Sequence, residues 1–118
     1  NLMQNLCIAY QDILKKHKLY ATSTTGQMIE DVANLKIHKL LAGHFGGMQQ
    51  MGSKISNNEI DLLIFLQDPA NKKRTPDFYN VLNLCDQYNI PCATNLPTAE
   101  VLILALDRGD LDWRNMYK

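Results

Sequence analysis

Short segments typical of strands alternate with helical segments along the whole chain. The strand-like segments are residues 19–22, 37–41, 62–66 and 89–95, and a helix is predicted after each of them, through about Leu35 after the first and starting at Pro76 and Pro97 after the last two. Strands that alternate with helices in this way are typical of a parallel sheet with crossover helices. The sequence therefore predicts an α/β fold of the doubly wound, Rossmann-like kind, with a mostly parallel sheet and helices on both faces.

The segment Leu62–Leu66 has five consecutive apolar residues with polar residues on either side. A strand that is covered on both faces of a parallel sheet has this uninterrupted pattern, whereas a strand with one wet face alternates. We therefore expect Leu62–Leu66 to be fully buried near the centre of the sheet.

The chain begins with Asn1 and its first predicted element is a helix, although every later unit begins with a strand. A doubly wound sheet normally has its first strand near the middle. We therefore expect residues 1–118 to form a single domain that is truncated at its amino end, with the first strand upstream of Asn1.

Charge and composition exclude several classes of protein. Twelve basic and twelve acidic residues give a net charge of zero, which disfavours a general nucleic-acid binder. No apolar run reaches the roughly 18 residues of a membrane span. Three cysteines, Cys7, Cys85 and Cys92, lie in apolar stretches at unrelated spacings, which favours free thiols in a reducing compartment. The sequence thus predicts a cytoplasmic globular domain without a membrane or nucleic-acid partner.

Two segments that follow predicted strands are suited to an anion. Residues 22–26 carry four hydroxyls and a glycine, and residues 42–47 are rich in glycine. In a parallel sheet, ligands bind beyond the carboxyl ends of the strands, where loops lead into helix amino termini. Phosphate is the natural ligand for such loops, although hydroxyl-rich loops before helices also serve simply as helix caps.

Four segments carry a resemblance to a known family. They are YATSTTG at 20–26, GHFGGMQQMG at 43–52, DLLIFLQDP at 61–69 and NIPCATNLPT at 89–98. In that order they resemble the YATGTTG, GPxGGDQQxG, IDxLIFFxDP and NIPxATNxxT segments of methylglyoxal synthases. The resemblance covers nearly all of the chain.

The resemblance implies a five-stranded doubly wound fold that assembles as a hexamer. It also implies a lyase that converts dihydroxyacetone phosphate to methylglyoxal and inorganic phosphate without a metal or an organic cofactor. The family's first strand, with a His-Asp pair and a phosphate-binding lysine after it, would lie upstream of Asn1.

By the same resemblance, the substrate phosphate is bound by residues of the first two loops. These residues are Thr22, Ser23, Thr24, Thr25, Ala42 and Gly43. Ser23 stands where the family has a glycine and Ala42 where it has a serine, each a loss on the order of one hydrogen bond. The phosphate-binding end of the site is thus largely kept.

The reacting end departs from the family at two positions. Met48 stands where the family has the aspartate that abstracts the substrate proton, and a thioether cannot accept a proton. Arg74 aligns with a histidine that polarises the substrate oxygens, and arginine stays protonated. Asp68 and Asp77 match retained acidic residues, and either of them or the carboxylate expected upstream of Asn1 would abstract the proton in a lyase. His44 is an alternative base, although a loop histidine is more commonly an exposed polar residue.

Two functions remain open from the sequence. The first is a lyase of the methylglyoxal synthase family with slow turnover, and the tail 110–114 resembles that of the free-standing synthases. The second is a non-catalytic domain that binds a phosphorylated ligand, as the same fold does in carbamoyl phosphate synthetases. Fold and lineage favour the first function, whereas loss of the base at position 48 favours inactivity, so the sequence predicts a family member with slow turnover and the second function is the alternative.

Overall fold

A computed structural model describes residues 1–43, 46–67 and 76–117. Their contacts group into two compact units, Asn1–Gln50 and Met51–Lys118. The boundary between the units falls inside helix α4, Gly47–Ser56. That residues 1–118 form a single domain stays a prediction.

The first unit contains two helices followed by a strand, a helix and a strand. Its elements are α1 (Leu2–Ala9), α2 (Gln11–Leu14), β1 (Leu19–Thr22), α3 (Ser23–Glu30) and β2 (Ile37–Leu40). The predicted opening helix is interrupted at Tyr10, whose φ of −113° and ψ of 24° are not helical. Strands β1 and β2 pair in parallel, with Leu19 opposite Ile37 and Thr22 opposite Leu40.

The second unit repeats the alternation. After the end of α4 it contains β3 (Leu63–Ile64), α5 (Pro76–Gln87), β4 (Cys92–Ala93), α6 (Leu96–Asp107) and a 3₁₀ helix (Asp112–Tyr117). Strands β3 and β4 are parallel. Asn95 caps α6 by accepting a hydrogen bond from the Thr98 amide at 3.1 Å, and Pro97 follows in the first turn. The helix starts predicted at Pro76 and near Pro97 are therefore correct.

The apolar residues of each unit form its core. In the first unit the buried residues are Leu6, Cys7, Leu14, Ala21, Ile29, Ala33, Leu35 and Ile37. In the second they include Ile55, Leu63, Phe78, Val81, Cys85, Ala93, Ala99 and Ile103. Phe78 lies edge-on to Phe65, with the ring centroids 5.2 Å apart. The helices and parallel strands confirm the predicted α/β class, and the described strands form two parallel pairs, β1–β2 and β3–β4.

The expectation that Leu62–Leu66 is fully buried is wrong. Only Leu63 is buried, at 6% exposure, and the other four residues are half-buried. On one edge the backbone of this segment is well paired, because the Phe65 amide donates to the Ala93 carbonyl at 2.8 Å and Gln67 to Thr94 at 3.2 Å. In the described part of the chain its other edge has no strand beside it. Hydrophobic composition alone therefore overestimates how completely this strand is covered.

All three cysteines lie in the described part of the chain and are free thiols, as the sequence predicts. Burial raises the pKa of the Cys7 thiol to about 11. A hydrogen bond between Cys85 and Cys92 raises the pKa of Cys85 and lowers the pKa of Cys92. Among the described helices, none combines the length and the hydropathy that crossing a bilayer requires.

A single arginine ties the end of the second unit to two of its loops. Arg114, in the 3₁₀ helix, is 3% exposed. Its guanidinium donates to Asp61 Oδ1 at 3.2 Å and to the Asn89 carbonyl at 2.5 Å. It also donates to Asn58 Oδ1 at 3.0 Å and to the Ile60 carbonyl at 3.3 Å. Asn58 and Asn89, which both bond to this guanidinium, have positive φ.

We predict that Arg114→Ala lowers the free energy of unfolding by about 2–4 kcal/mol, because it removes a buried charged donor that serves four buried or partly buried acceptors. Arg108→Ala is the matched control. Arg108 pairs with Asp110 on an exposed surface, and its loss should change stability by no more than about 0.5 kcal/mol. Urea denaturation of both variants measures the difference, and equal effects would contradict an anchoring role for Arg114.

Candidate functional site

The carboxyl ends of β1 and β2 lie at the same edge of their sheet. This follows from the parallel register, in which Thr22 and Leu40 are the last pair. The predicted phosphate residues 22–25 therefore leave the sheet at the same edge as Ala42 and Gly43. Backbone amides and hydroxyls from two consecutive strand ends are thus available together.

Residues 23–26 form the first turn of a helix, where the sequence analysis predicted a loop. Helix α3 begins at Ser23, and Thr22 is its N-cap residue in an extended conformation. Hydroxyl residues are as well suited to a first helical turn as to a loop. The amides of that turn have no acceptor within the helix, and a hydroxyl oxygen can accept their hydrogen bonds. The predicted helix end near Leu35 is also wrong: α3 ends at Glu30, and the Val32 and Ala33 amides bond to the Ile29 carbonyl in a final turn.

The hydroxyls of this turn differ in exposure. Thr22, Ser23 and Thr25 are half-buried and Thr24 is exposed. The Thr22 side chain makes no capping bond, and its hydroxyl instead donates to Thr25 Oγ1 at 3.4 Å. The amides of the first turn therefore keep their hydrogen-bonding capacity, and the positive end of the helix dipole adds to it.

Helix α3 approaches β2 closely because residue 26 is glycine. A Cβ at Gly26 would lie 2.9 Å from Lys39 Cγ and 3.1 Å from Ile37 Cγ2. At the other end of α3, Glu30 accepts hydrogen bonds from the Ile37 amide at 3.0 Å and from Lys39 Nζ. The bond from Lys39, followed by that from Ile37, holds the pKa of Glu30 below its usual 4.5. Contacts at both ends thus fix α3 against β2.

The side chain at position 48 lies beside Gly43. Met48 is the second residue of α4, and its Cγ is 4.0 Å from the point that a Cβ at Gly43 would occupy. Met48 and Ala42 are both half-buried. The first unit therefore brings the position that the resemblance assigns to the base next to a predicted phosphate-binding glycine.

The remaining predicted site residues are located elsewhere or lie outside the described residues. Asp77 is in the first turn of α5, in the second unit, and is half-buried. Asp68, Arg74 and the alternative base His44 lie outside the described residues. Their roles stay predictions.

One residue near the site was not assigned a role from the sequence. Gln50 accepts a hydrogen bond from the Leu41 amide at 2.7 Å through Oε1. The glutamine pair at 49–50 carries part of the family resemblance, but a bond between a helical side chain and a distant amide leaves no periodic signal. Within residues 1–43, 46–67 and 76–117, no group of three His, Cys, Asp or Glu is arranged to hold a metal ion. The absence of a metal stays a prediction.

Comparison with known proteins gives a consistent result. The family model described as MGS-like domain matches residues 3–94. The chain is 53% identical over 116 residues to the methylglyoxal synthase of Caldicellulosiruptor saccharolyticus, covering 98% of this chain and 82% of that protein. It is 50% identical over 119 residues to that of Clostridioides difficile, covering 100% and 87%.

A solved structure extends this likeness to the fold. The crystal structure of methylglyoxal synthase from Elizabethkingia anophelis matches with a TM-score of 0.75 and 33% sequence identity. The match covers 85% of this chain and 66% of that one. It agrees with the α/β class of the described residues.

The contact between α3 and β2 predicts a specific pH dependence. The pKa of Glu30 is lower in the folded state than its usual 4.5. The contribution of Glu30 to the free energy of unfolding is therefore complete above about pH 4.5 and is lost as the pH falls through the folded pKa. Glu30→Gln should therefore lower the denaturation midpoint at pH 7, and the difference from the native protein should shrink in acid.

The matched control is Asp12→Asn, which removes the exposed pair with Lys15 and should leave the midpoint nearly unchanged. Midpoints measured between pH 3 and pH 7 provide the comparison. A Glu30→Gln effect that stays constant across this range would contradict the assigned ionisation.

Proposed function

Because this chain belongs to the methylglyoxal synthase family, a family of lyases, we propose that it converts dihydroxyacetone phosphate to methylglyoxal and inorganic phosphate. The observation that carries the proposal is the shared edge of β1 and β2, from which the hydroxyl-bearing turn of α3 and the Gly43 backbone both start. We propose slow turnover, because the family's base is replaced by Met48.

Binding of the phosphate is supported by the chemistry of the first turn of α3. Its amides carry partial positive charge, and the hydroxyls of Ser23, Thr24 and Thr25 add donors beside them. The Thr22 hydroxyl and the backbone of Ala42 and Gly43 complete the proposed phosphate-binding set. This arrangement of neutral donors suits a phosphate dianion, whose oxygens accept several hydrogen bonds.

The reaction requires a base beside the carbon next to the ketone. That base takes a proton, the resulting enediolate expels phosphate by breaking the carbon–oxygen bond, and the enol product rearranges to methylglyoxal. In the proposed arrangement, position 48 faces that carbon across Gly43. Met48 cannot take the proton, so Asp77, Asp68 or His44 would have to do so. We propose that Arg74 stabilises the enediolate electrostatically.

One observation favours a second function, a non-catalytic domain that binds a phosphorylated regulatory ligand. The half-buried thioether of Met48 beside Gly43 leaves the hydrogen-bond donors around the phosphate in place while removing the proton acceptor. Turnover distinguishes the two functions, because both predict phosphate binding.

The remaining features of the proposal follow family membership. We propose a cytoplasmic homo-oligomer, a hexamer as in the family, that acts on a small phosphorylated substrate. We propose no metal and no organic cofactor.

We predict that inorganic phosphate shifts the amide NMR signals of residues 22–25 and Gly43 in the protein at its full natural length. Thr24→Val removes one exposed donor and should weaken binding roughly tenfold, as expected for one hydrogen bond to a charged group. Ser53→Ala, an exposed hydroxyl on α4, is the matched control and should leave the affinity unchanged. Shifts that avoid both segments would contradict the proposed site.

We predict that Met48→Asp raises the rate of phosphate release from dihydroxyacetone phosphate by about 10²- to 10⁴-fold, the usual contribution of a general base. Arg74→His should raise the rate further. Met48→Asn is the matched control, because asparagine has the shape of aspartate but cannot accept the proton.

The outcomes separate the two proposed functions. A slow native rate that only Met48→Asp increases supports a lyase with an impaired base. No turnover in the native protein or in Met48→Asp, despite phosphate binding, supports the non-catalytic function. A native rate that is normal for the family and unchanged by Met48→Asp would show that another residue takes the proton.

A further inference from the structure

Hydrogen bonds join described residues that follow β2 to the first turns of α4. The Leu41 amide donates to Gln50 Oε1 at 2.7 Å, and the Gly47 amide donates to the Ala42 carbonyl at 3.0 Å. The Gln50 amide donates to the Gly46 carbonyl at 3.0 Å. Residues 41 and 50, nine positions apart, are therefore directly linked.

Two glycines make this close return possible. A Cβ at Gly47 would lie 2.0 Å from the Leu41 carbonyl oxygen and 3.0 Å from that of Ala42, so no larger residue fits. Gly46 has a φ of +100°, which glycine adopts without strain. The backbone of the helix start is thus packed directly on the backbone that leaves β2.

The Leu41 amide is the first one beyond β2, where the parallel ladder has ended. Gln50 Oε1 accepts the hydrogen bond of the Leu41 amide at the point where the hydrogen bonds between β1 and β2 have ended. Gly43 and Met48, the two residues whose relative position the proposed reaction depends on, both lie in sequence between the two residues that this bond joins.

We propose that Gln50 is a positioning residue, which fixes the Gly43 backbone and the residue at position 48 relative to the carboxyl end of β2. It does so without touching the substrate, through the Leu41 amide. The inference rests on the proposed function for what the segment is positioned to bind, but not for the contact itself.

Three variants isolate the bond. Gln50→Met keeps a side chain of similar length and removes the acceptor, whereas Gln50→Glu keeps an acceptor at the same reach. Gln49→Met is the matched control, because Gln49 is also exposed on the first turns of α4 and none of the described residues hydrogen-bonds to its side chain. Urea midpoints verify that all variants remain folded.

The first measurement is hydrogen exchange of the Leu41 amide, which needs no ligand. Exchange should be at least about fivefold faster in Gln50→Met than in the native protein, and close to native in Gln50→Glu and Gln49→Met. Similar exchange in Gln50→Met and the native protein would overturn the inference.

The second measurement is titration with inorganic phosphate, followed at the Gly43 amide. Gln50→Met should bind phosphate roughly five- to tenfold more weakly at an unchanged urea midpoint, whereas Gln49→Met should bind as the native protein does. A purely structural role would move the midpoint and not the Gly43 response. Unchanged phosphate affinity in Gln50→Met would overturn the positioning role.

Failure of the proposed function is distinguishable from failure of this inference. A native protein in which phosphate shifts neither Gly43 nor residues 22–25 contradicts the proposed function. In that case the exchange rate of the Leu41 amide alone still supports or overturns the role of Gln50 in holding the segment.

Discussion

The parallel pairing of β1 with β2 determines which backbone amides of the first unit can act together. Because both strands run in the same direction, the segments that follow Thr22 and Leu40 start from one edge. An antiparallel pair would send them to opposite edges and leave each with half of the anion-binding donors. The parallel direction of the two strands is thus the feature on which the whole candidate site depends.

Close backbone approach then fixes the geometry at that edge, and glycine provides it at two points. Gly26 lets α3 rest on the side chains of β2, and Gly47 lets the start of α4 rest on the carbonyl of Leu41. Polar bonds secure each contact: Glu30 accepts from Ile37 and Lys39, and Gln50 accepts from Leu41. The two helices that begin at the edge therefore have limited freedom to move away from it.

Local sequence patterns predicted where most helices and strands lie. They did not predict how completely a strand is buried by residues distant in sequence. Pro76 and the Asn95–Pro97 segment marked helix starts, because a missing amide and a capping side chain act within one turn. The hydroxyl run after Thr22 was interpreted as a loop, since serine and threonine suit a cap and a first turn equally.

Burial of Leu62–Leu66 depends on neighbours that lie far away in sequence, and the run itself carries no information about them. The same is true of the candidate site. Its proposed phosphate-binding and base positions come from motif resemblance, whereas Gln50 and Arg114 bond to backbone groups that no spacing rule connects to them.

The bonds of Arg114 also bear on the order in which the second unit is completed during synthesis. Its acceptors at positions 58, 60, 61 and 89 are all translated before the arginine itself. The second unit therefore cannot be completed until residue 114 has been synthesised, and a chain shortened before it would lack the guanidinium that bonds to both asparagine turns.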